Sequence, residues 1–448
     1  ILLNGGNKIR NLGANELYIA SFKTGVSGSI QEFTAATGNS SANNAPFISA
    51  DIHFPDSENR AYSLDFSLSP GNYSLILSDS LAIETAKVFN TQVSELRRKY
   101  NADMVIITHP LFFNAATSYA DYRRAQGYKI DLINVEDIYK EFEYGFKAPI
   151  AIKQFLQYAY NNSSDSRLKY ALLIGDASRD PNFNNPTSLA TDYIPSYGVP
   201  ASDYWYGLFS NDDTQAPELI IARIPVSSEL QLVDYLDKVK SYESGKPEEW
   251  HKRFLFLNGG ITDSEQKAIL NDSYRLATSI TSYPLCADTV RVNKKDNVPS
   301  GEAQKNELLY NINRGNIFTI YNGHSSPAVF DLDGWQTQNL SNKDKYGILA
   351  TLSCNSGAFA EPVPVQCRNE EYLLAKDKGF VVVIGSTTVG EMSSMFAIFN
   401  NFLNMLTDTK NFNRKIGDLL NLSKQKTVYA TDRFSKAMRR FVTLLGDP

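Results

Sequence analysis

From about residue 100 onward the chain repeats one pattern: a short, nearly unbroken apolar run, a polar turn, then a longer amphipathic stretch. The apolar runs are "DMVIITHP", "YKIDLINV", "KYALLIGD", "ELIIARIP", "FLFLNGG", "NIFTIYNG", "GILATLS" and "GFVVVIGS". Between them stand helical patterns such as "FFNAATSYADYRRAQG", closed by Gly127, "APIAIKQFLQYAYNN", with Pro149 in its first turn, and "SELQLVDYLDKVKSYE". A strand that is apolar on both sides must be covered on both sides. The expected fold is therefore α/β, a mainly parallel sheet with helices on both faces.

The pattern before residue 90 is different. "ELYIASF", "FISADIHF", "YSLDFSLS" and "YSLILSDS" are short β-rich runs separated by Gly, Ser, Asn and Pro turns, which predicts a small all-β domain over 1–90. "SLAIETAKVFNTQVSELRRKY" reads as a helix leading into an α/β domain over 91–448, with 91–245 and 246–448 as candidate subdomains. The chain begins with Ile1, as a processed form or a fragment would.

Composition narrows the function. A net charge of −5 without a long basic run argues against nucleic acid as a partner. No apolar stretch reaches the ~18–20 residues that span a bilayer. The four histidines, His53, His109, His251 and His324, are scattered, and no CxxC or HExxH occurs, so no zinc site is expected. Three cysteines, Cys286, Cys354 and Cys367, are too few for a disulfide scaffold.

Two of these residues stand where α/β folds gather chemistry, just past the carboxyl ends of strands. His324 follows "FTIYNG" and Cys354 follows "GILATLS". A thiolate can attack a carbonyl, a histidine can take its proton and pass it to the leaving group, and turn N–H groups can hold the oxyanion. Gly323 and Gly357 allow close backbone approach. The alternative is plain packing, since free Cys is often a small buried hydrophobe.

The segments "YNGHSS", "NKDKYGILATLSCNSGAF" and "QCRNEEYLLAKDKGFVVVIGSTT" resemble the catalytic half of the gingipain family of cysteine peptidases. "YRRAQGYKIDLINVEDIY", "YALLIGDASRDP", "SDYWYGLF" with "PELIIARIP", and the terminal "GDP" extend the likeness over roughly three quarters of the chain. The resemblance implies a caspase-like fold and a secreted or cell-surface, outer-membrane-associated bacterial thiol peptidase acting on a protein or peptide. Cys354 would be the nucleophile, His324 the general base and acid, and the backbone N–H groups of Ser325 and Cys354 the oxyanion donors. No cofactor is implied for catalysis. Ser325 stands where the family has Gly. Near the strand end where the family places an acid, the alignment puts Asn258, with Asp263 nearby, so Asn258 is the expected orienter of the imidazole.

The resemblance also implies a structural Ca²⁺, for which Asp176, Asp180 and Glu218 are the candidate ligands and Ser210–Asp213 a further source of oxygens. Asp203 matches a recurrent acid. Trp335, Trp205 and Glu391 are candidate groove residues, although core packing and helix capping are the plainer roles. An extracellular setting would permit a Cys286–Cys367 disulfide, the alternative being a buried Cys367 thiol. Arg433–Phe441 reads as an amphipathic helix with a solvated basic face. Besides an endopeptidase, two readings stay open. One is the type IX secretion sortase of the same family, which passes its acyl group to an amine and has secretion-system partners. The other is a surface binding protein on a degenerate peptidase fold, kept open by Ser325 and Asn258.

Overall fold

The computed structural model describes residues 94–448 apart from 165–167, 211–215, 296–300, 363–365 and 428–431, together with the backbone of five earlier strands. Contacts divide the chain into two compact units, Ile1–Gln92 and Val93–Pro448. In the first, β1 (Leu17–Thr24) pairs antiparallel with β5 (Gly71–Ser78). β4 (Ala61–Phe66) lies between β2 (Gly28–Thr34) and β3 (Asp51–His53), also antiparallel. The remainder of that unit, and residues 80–93 of the expected bridging helix, lie outside the described residues.

Residues 94–100 of that expected helix are not helical. Tertiary partners take the amides that a helix would have used. The Glu141 carboxylate accepts the Leu96 and Arg97 N–H groups at 2.9 Å each, and Tyr100 N–H donates to Asn162 C=O at 3.0 Å.

The second unit is built on one ten-stranded sheet. Its strands are β6 (Met104–Thr108), β7 (Ile130–Asn134), β8 (Tyr170–Ile174), β9 (Ile220–Ile224), β10 (Arg253–Asn258), β11 (Asp288–Asn293), β12 (Phe318–Asn322), β13 (Ile348–Leu352), β14 (Val382–Ser386) and β15 (Val442–Gly446). They lie in the order β11-β10-β12-β13-β14-β15-β9-β8-β6-β7, so a single sheet runs through both candidate subdomains. The ladders are parallel from β11 to β14 and from β9 to β7, while β15 runs antiparallel to β14. Every apolar run singled out in the sequence is a strand of this sheet. β11 and β15 are additional. β11 is an edge strand carrying Asp288, Arg291 and Asn293, which hides it from a search for apolar runs.

Side-chain alternation places a core on each face. Met104, Ile106 and Leu172 enter one apolar cluster, whereas Val105, Ile107 and Leu173 enter the other. Local signals set the helix limits. Pro149 opens the helix Pro149–Asn161, the Ser228 hydroxyl caps Glu229–Ser244, and Gly127, at φ +95°, follows Phe113–Ala125. The basic helix Arg433–Phe441 departs from a simple solvated face, because Arg439 is buried and donates to Thr427 C=O at 2.8 Å.

The helix Ile416–Gln425 carries a lysine into the interior. Lys424 is buried, its ammonium donates to Val442 C=O, and burial pushes the amine down to about 7 from 10.5. Between those values the unfolded chain binds more protons than the folded one, so stability contributed at this site rises with pH. We expect the unfolding free energy of the wild type, relative to Lys424→Met, to climb by on the order of 3 kcal/mol from pH 7 to 10. Urea melts of both proteins across that range measure it, and a flat difference would show the amine titrating normally.

Candidate active site

β10, β12 and β13 are neighbours with aligned carboxyl ends. Asn258 pairs with Asn322, and Asn322 with Leu352. His324 and Cys354 each lie two residues beyond a paired position, so their turns leave the same sheet edge side by side. The Ser325 hydroxyl ties them together by donating to the Cys354 carbonyl.

The histidine turn closes through Ser326 N–H to Val329 C=O and Asp331 N–H to His324 C=O, both at 2.9 Å. Gly323 is required by crowding. A Cβ there would stand 2.7 Å from both the Tyr321 hydroxyl and Asp331 Oδ1. The cysteine turn passes through Asn355, left-handed at φ +51°. Asn355 N–H donates to Thr388 C=O at 2.8 Å and Gly357 N–H to Ser386 C=O at 2.9 Å, which fastens the turn to the loop after β14. The Cys354 thiol is half-buried and lies 3.9 Å from Gly390 C=O. Among the described residues, neither the Ser325 nor the Cys354 N–H donates to a turn carbonyl.

The partner of the imidazole is Glu265. His324 Nε2 stands 2.5 Å from Glu265 Oε1, with the two side chains 44% and 33% exposed, open enough for a substrate to reach the histidine. Glu265 Oε2 accepts the Ile261 N–H at 2.7 Å. That bond, and then the histidine, hold the carboxyl below the usual glutamate range. Glu265 belongs to the first turn of the helix Asp263–Ile280, whose N-cap Thr262 accepts Glu265 N–H at 3.3 Å. A carboxylate accepting Nε2–H leaves Nδ1 with the free lone pair of a base.

Asn258, the expected orienter, does not reach the histidine. Its amide is buried at the end of β10 and donates to Asn293 Oδ1 at 2.7 Å and Ser273 Oγ at 3.3 Å. The chain needs the next turn, "GGITDSE", to bring an acid back over the sheet edge. Glu265 was legible as the fourth residue of "TDSE", a Thr-x-x-Glu helix start, whereas attention to the strand end favoured Asn258 and Asp263.

Other expected site residues have different roles. Trp335 is 1% exposed, stacked at 4.8 Å on Tyr372, with its indole N–H donating to Leu332 C=O, so it is core and not groove. Trp205 is half-buried and stacks on Tyr197 at 3.9 Å. Glu391 caps the helix Met392–Leu406, accepting Ser393 and Ser394 N–H, although its neighbour Gly390 touches the thiol. Cys286 is exposed, Cys367 is buried, and both are free thiols, so the disulfide is not formed.

The candidate calcium ligands do not converge. Asp176 follows the carboxyl end of β8, while Glu218 precedes the amino end of β9, and these strands are parallel in register. Each carboxylate closes its own turn. Asp176 accepts Ala177 N–H, Asp180 accepts Asn184 and Asn185 N–H, and Glu218 accepts Phe209 and Ser210 N–H. Burial also pushes the Asp176 carboxyl up to about 7. Among the described residues no group of three His, Cys, Asp or Glu is placed to hold a metal, and residues 211–213 lie outside them. The set Asp176, Asp180 and Glu218 does not fit a shared Ca²⁺.

The family model described as Peptidase family C25 matches residues 97–448. The chain belongs to peptidase family C25. That family is one of cysteine-type peptidases, as the resemblance had implied. Lys-gingipain of Porphyromonas gingivalis is 23% identical over 302 residues, which cover 63% of this chain and 15% of that protein's own length. The complex of the Porphyromonas gingivalis RgpB pro- and mature domains superposes with a TM-score of 0.63 at 21% identity, over 77% of this chain and 78% of that one. The Arg-specific cysteine proteinase gingipain R (RgpB) gives 0.62 at 20% identity, over 80% and 79%. The C25 unit thus has the caspase-like gingipain fold. No helix among the described residues is long and apolar enough to cross a membrane.

Proposed function

We propose that this C25 chain is an endopeptidase whose thiolate nucleophile is Cys354, with His324 as base and acid and Glu265 as the carboxylate behind it. The observation that carries the reading is the His324–Glu265 pair, 2.5 Å apart, on a turn bonded to the turn of Cys354. His324 Nδ1 takes the thiol proton as Cys354 Sγ adds to the scissile carbonyl. The oxyanion is received by the N–H groups of Ser325 and Cys354. Glu265 stabilises the imidazolium, which then protonates the leaving amine as the C–N bond breaks. Water, deprotonated by His324, cleaves the thioester and restores the thiol. The loop Thr387–Gly390, held by Asn355, forms one wall beside the thiol, with Val389 exposed. The proposed setting is the cell surface or exterior of a bacterium.

The test is digestion of a diverse peptide library by the wild type and by Cys354→Ala, with products read by mass spectrometry and an amine acceptor added. Cleavage by the wild type alone is expected. Amine adducts in place of hydrolysed ends would reassign the chain to transpeptidation, and equal products from both proteins would remove Cys354 from the chemistry.

A further inference from the structure

Asp331 is not among the reacting groups, yet it touches both the turn that carries His324 and the loop that leads to Glu265. Its Oδ1 accepts the Tyr321 hydroxyl at 2.5 Å, and that hydroxyl also lies 2.5 Å from His324 C=O. Its Oδ2 accepts the Gly260 N–H at 2.7 Å, in the loop that leads to Glu265. Its own N–H donates to His324 C=O at 2.9 Å. Lys294 stands 3.8 Å from Oδ2. Two glycines make room for the carboxylate. A Cβ at Gly259 would lie 2.1 Å from Oδ1, and one at Gly323 would lie 2.7 Å from it. Backbone has been brought against this carboxylate from both β10 and β12.

We propose that Asp331 is a positioning residue for the His324–Glu265 pair, clamping the histidine turn and the glutamate loop in one register. The inference rests on the peptidase reading above. An imidazole reaching a thiol must be placed within a few tenths of an ångström, and the two turns have few other ties. Gly259 N–H to Asn322 C=O, at 2.8 Å, is one of them, and it lies below the reacting groups.

The test is the pH profile of Cys354 alkylation by iodoacetamide, read by mass spectrometry of the labelled peptide. It needs no substrate, and the exposed Cys286 serves as an internal control. In the wild type, Cys354 should react faster than Cys286, because His324 takes the thiol proton. In Asp331→Asn, which preserves size, Cys354 labelling at pH 6 is expected to fall about 10-fold, as the imidazole loses its alignment with the thiol. Tyr321→Phe should shift it the same way by about 3-fold. Cys286 should be unchanged in both. A Cys354 profile in folded Asp331→Asn that superposes on the wild type would overturn the proposal. A wild-type Cys354 that merely follows Cys286 would overturn the Cys354–His324 pairing itself, and the clamp with it.

Discussion

Glu265→Gln is expected to leave the fold intact and lower kcat by about 10²–10³-fold, with KM little changed. The amide oxygen can still accept the His324 Nε2–H, so orientation survives in part, but the charge that stabilises the imidazolium is gone. A fully buried triad carboxylate is worth about 10⁴. Glu265 is a third exposed, and solvent screening makes its contribution smaller. Because its carboxyl sits below the usual range, it remains ionised through the pH interval in which a histidine titrates. Asn258→Ala is the contrast. Its amide serves Asn293 and Ser273, so the variant should be less stable with kcat close to wild type. Steady-state kinetics on one cleaved peptide, with thermal melts of both variants, decide the assignment. An unchanged kcat in Glu265→Gln would reduce that residue to a helix-start acid.

What was readable in the sequence followed from how directly each residue's surroundings are local. Strands such as Val105–Ile107 and Leu172–Ile174 announce themselves because burial on both faces leaves only apolar positions. His324 and Cys354 could be picked out because they follow such strands, and the sheet places strand ends in one row. Glu265 could not be tied to His324 in this way. The contact spans 59 positions and depends on how the Gly259–Thr262 turn folds back. The candidate calcium ligands failed for a related reason. Asp176 and Glu218 flank strands that follow one another in the sheet, but parallel strands put those flanks at opposite ends. Trp335 took the plainer of its two readings, core packing, because Phe330 and Tyr372 stack around it. Asp203 was noted as a recurrent acid, and its partner, Arg223, lay unremarked in the apolar run "ELIIARIP".

Arg223→Met is expected to cost about 3–5 kcal/mol of stability, the largest effect predicted outside the reacting groups. Arg223 is fully buried in the middle of the sheet. Its guanidinium pairs with both oxygens of buried Asp203, at 2.6 and 2.9 Å. It also donates to the carbonyls of Gly175 and Ile194 at 2.7 and 2.8 Å, and its face lies 4.8 Å from the Phe359 ring. Five residues from Cys354, that ring belongs to the segment continuing the cysteine turn. Methionine fills the volume but leaves Asp203 as an uncompensated buried charge and strands two carbonyls without donors. The Coulomb term is not what makes the loss large. A buried pair roughly offsets its own desolvation, so the cost arises from the partner left behind. The double variant Arg223→Met/Asp203→Leu should therefore recover part of the loss, in proportion to the share that comes from the stranded carboxylate. The remainder measures the carbonyls and the ordering of the 175–195 loop. Urea unfolding of the wild type, the single variant and the double variant supplies all three numbers. A single variant within about 1 kcal/mol of wild type would mean that water reaches Asp203, and that the 175–195 loop is held from elsewhere, for instance by Arg179 N–H to Ala360 C=O at 2.9 Å and the Arg179–Glu361 pair at 2.8 Å.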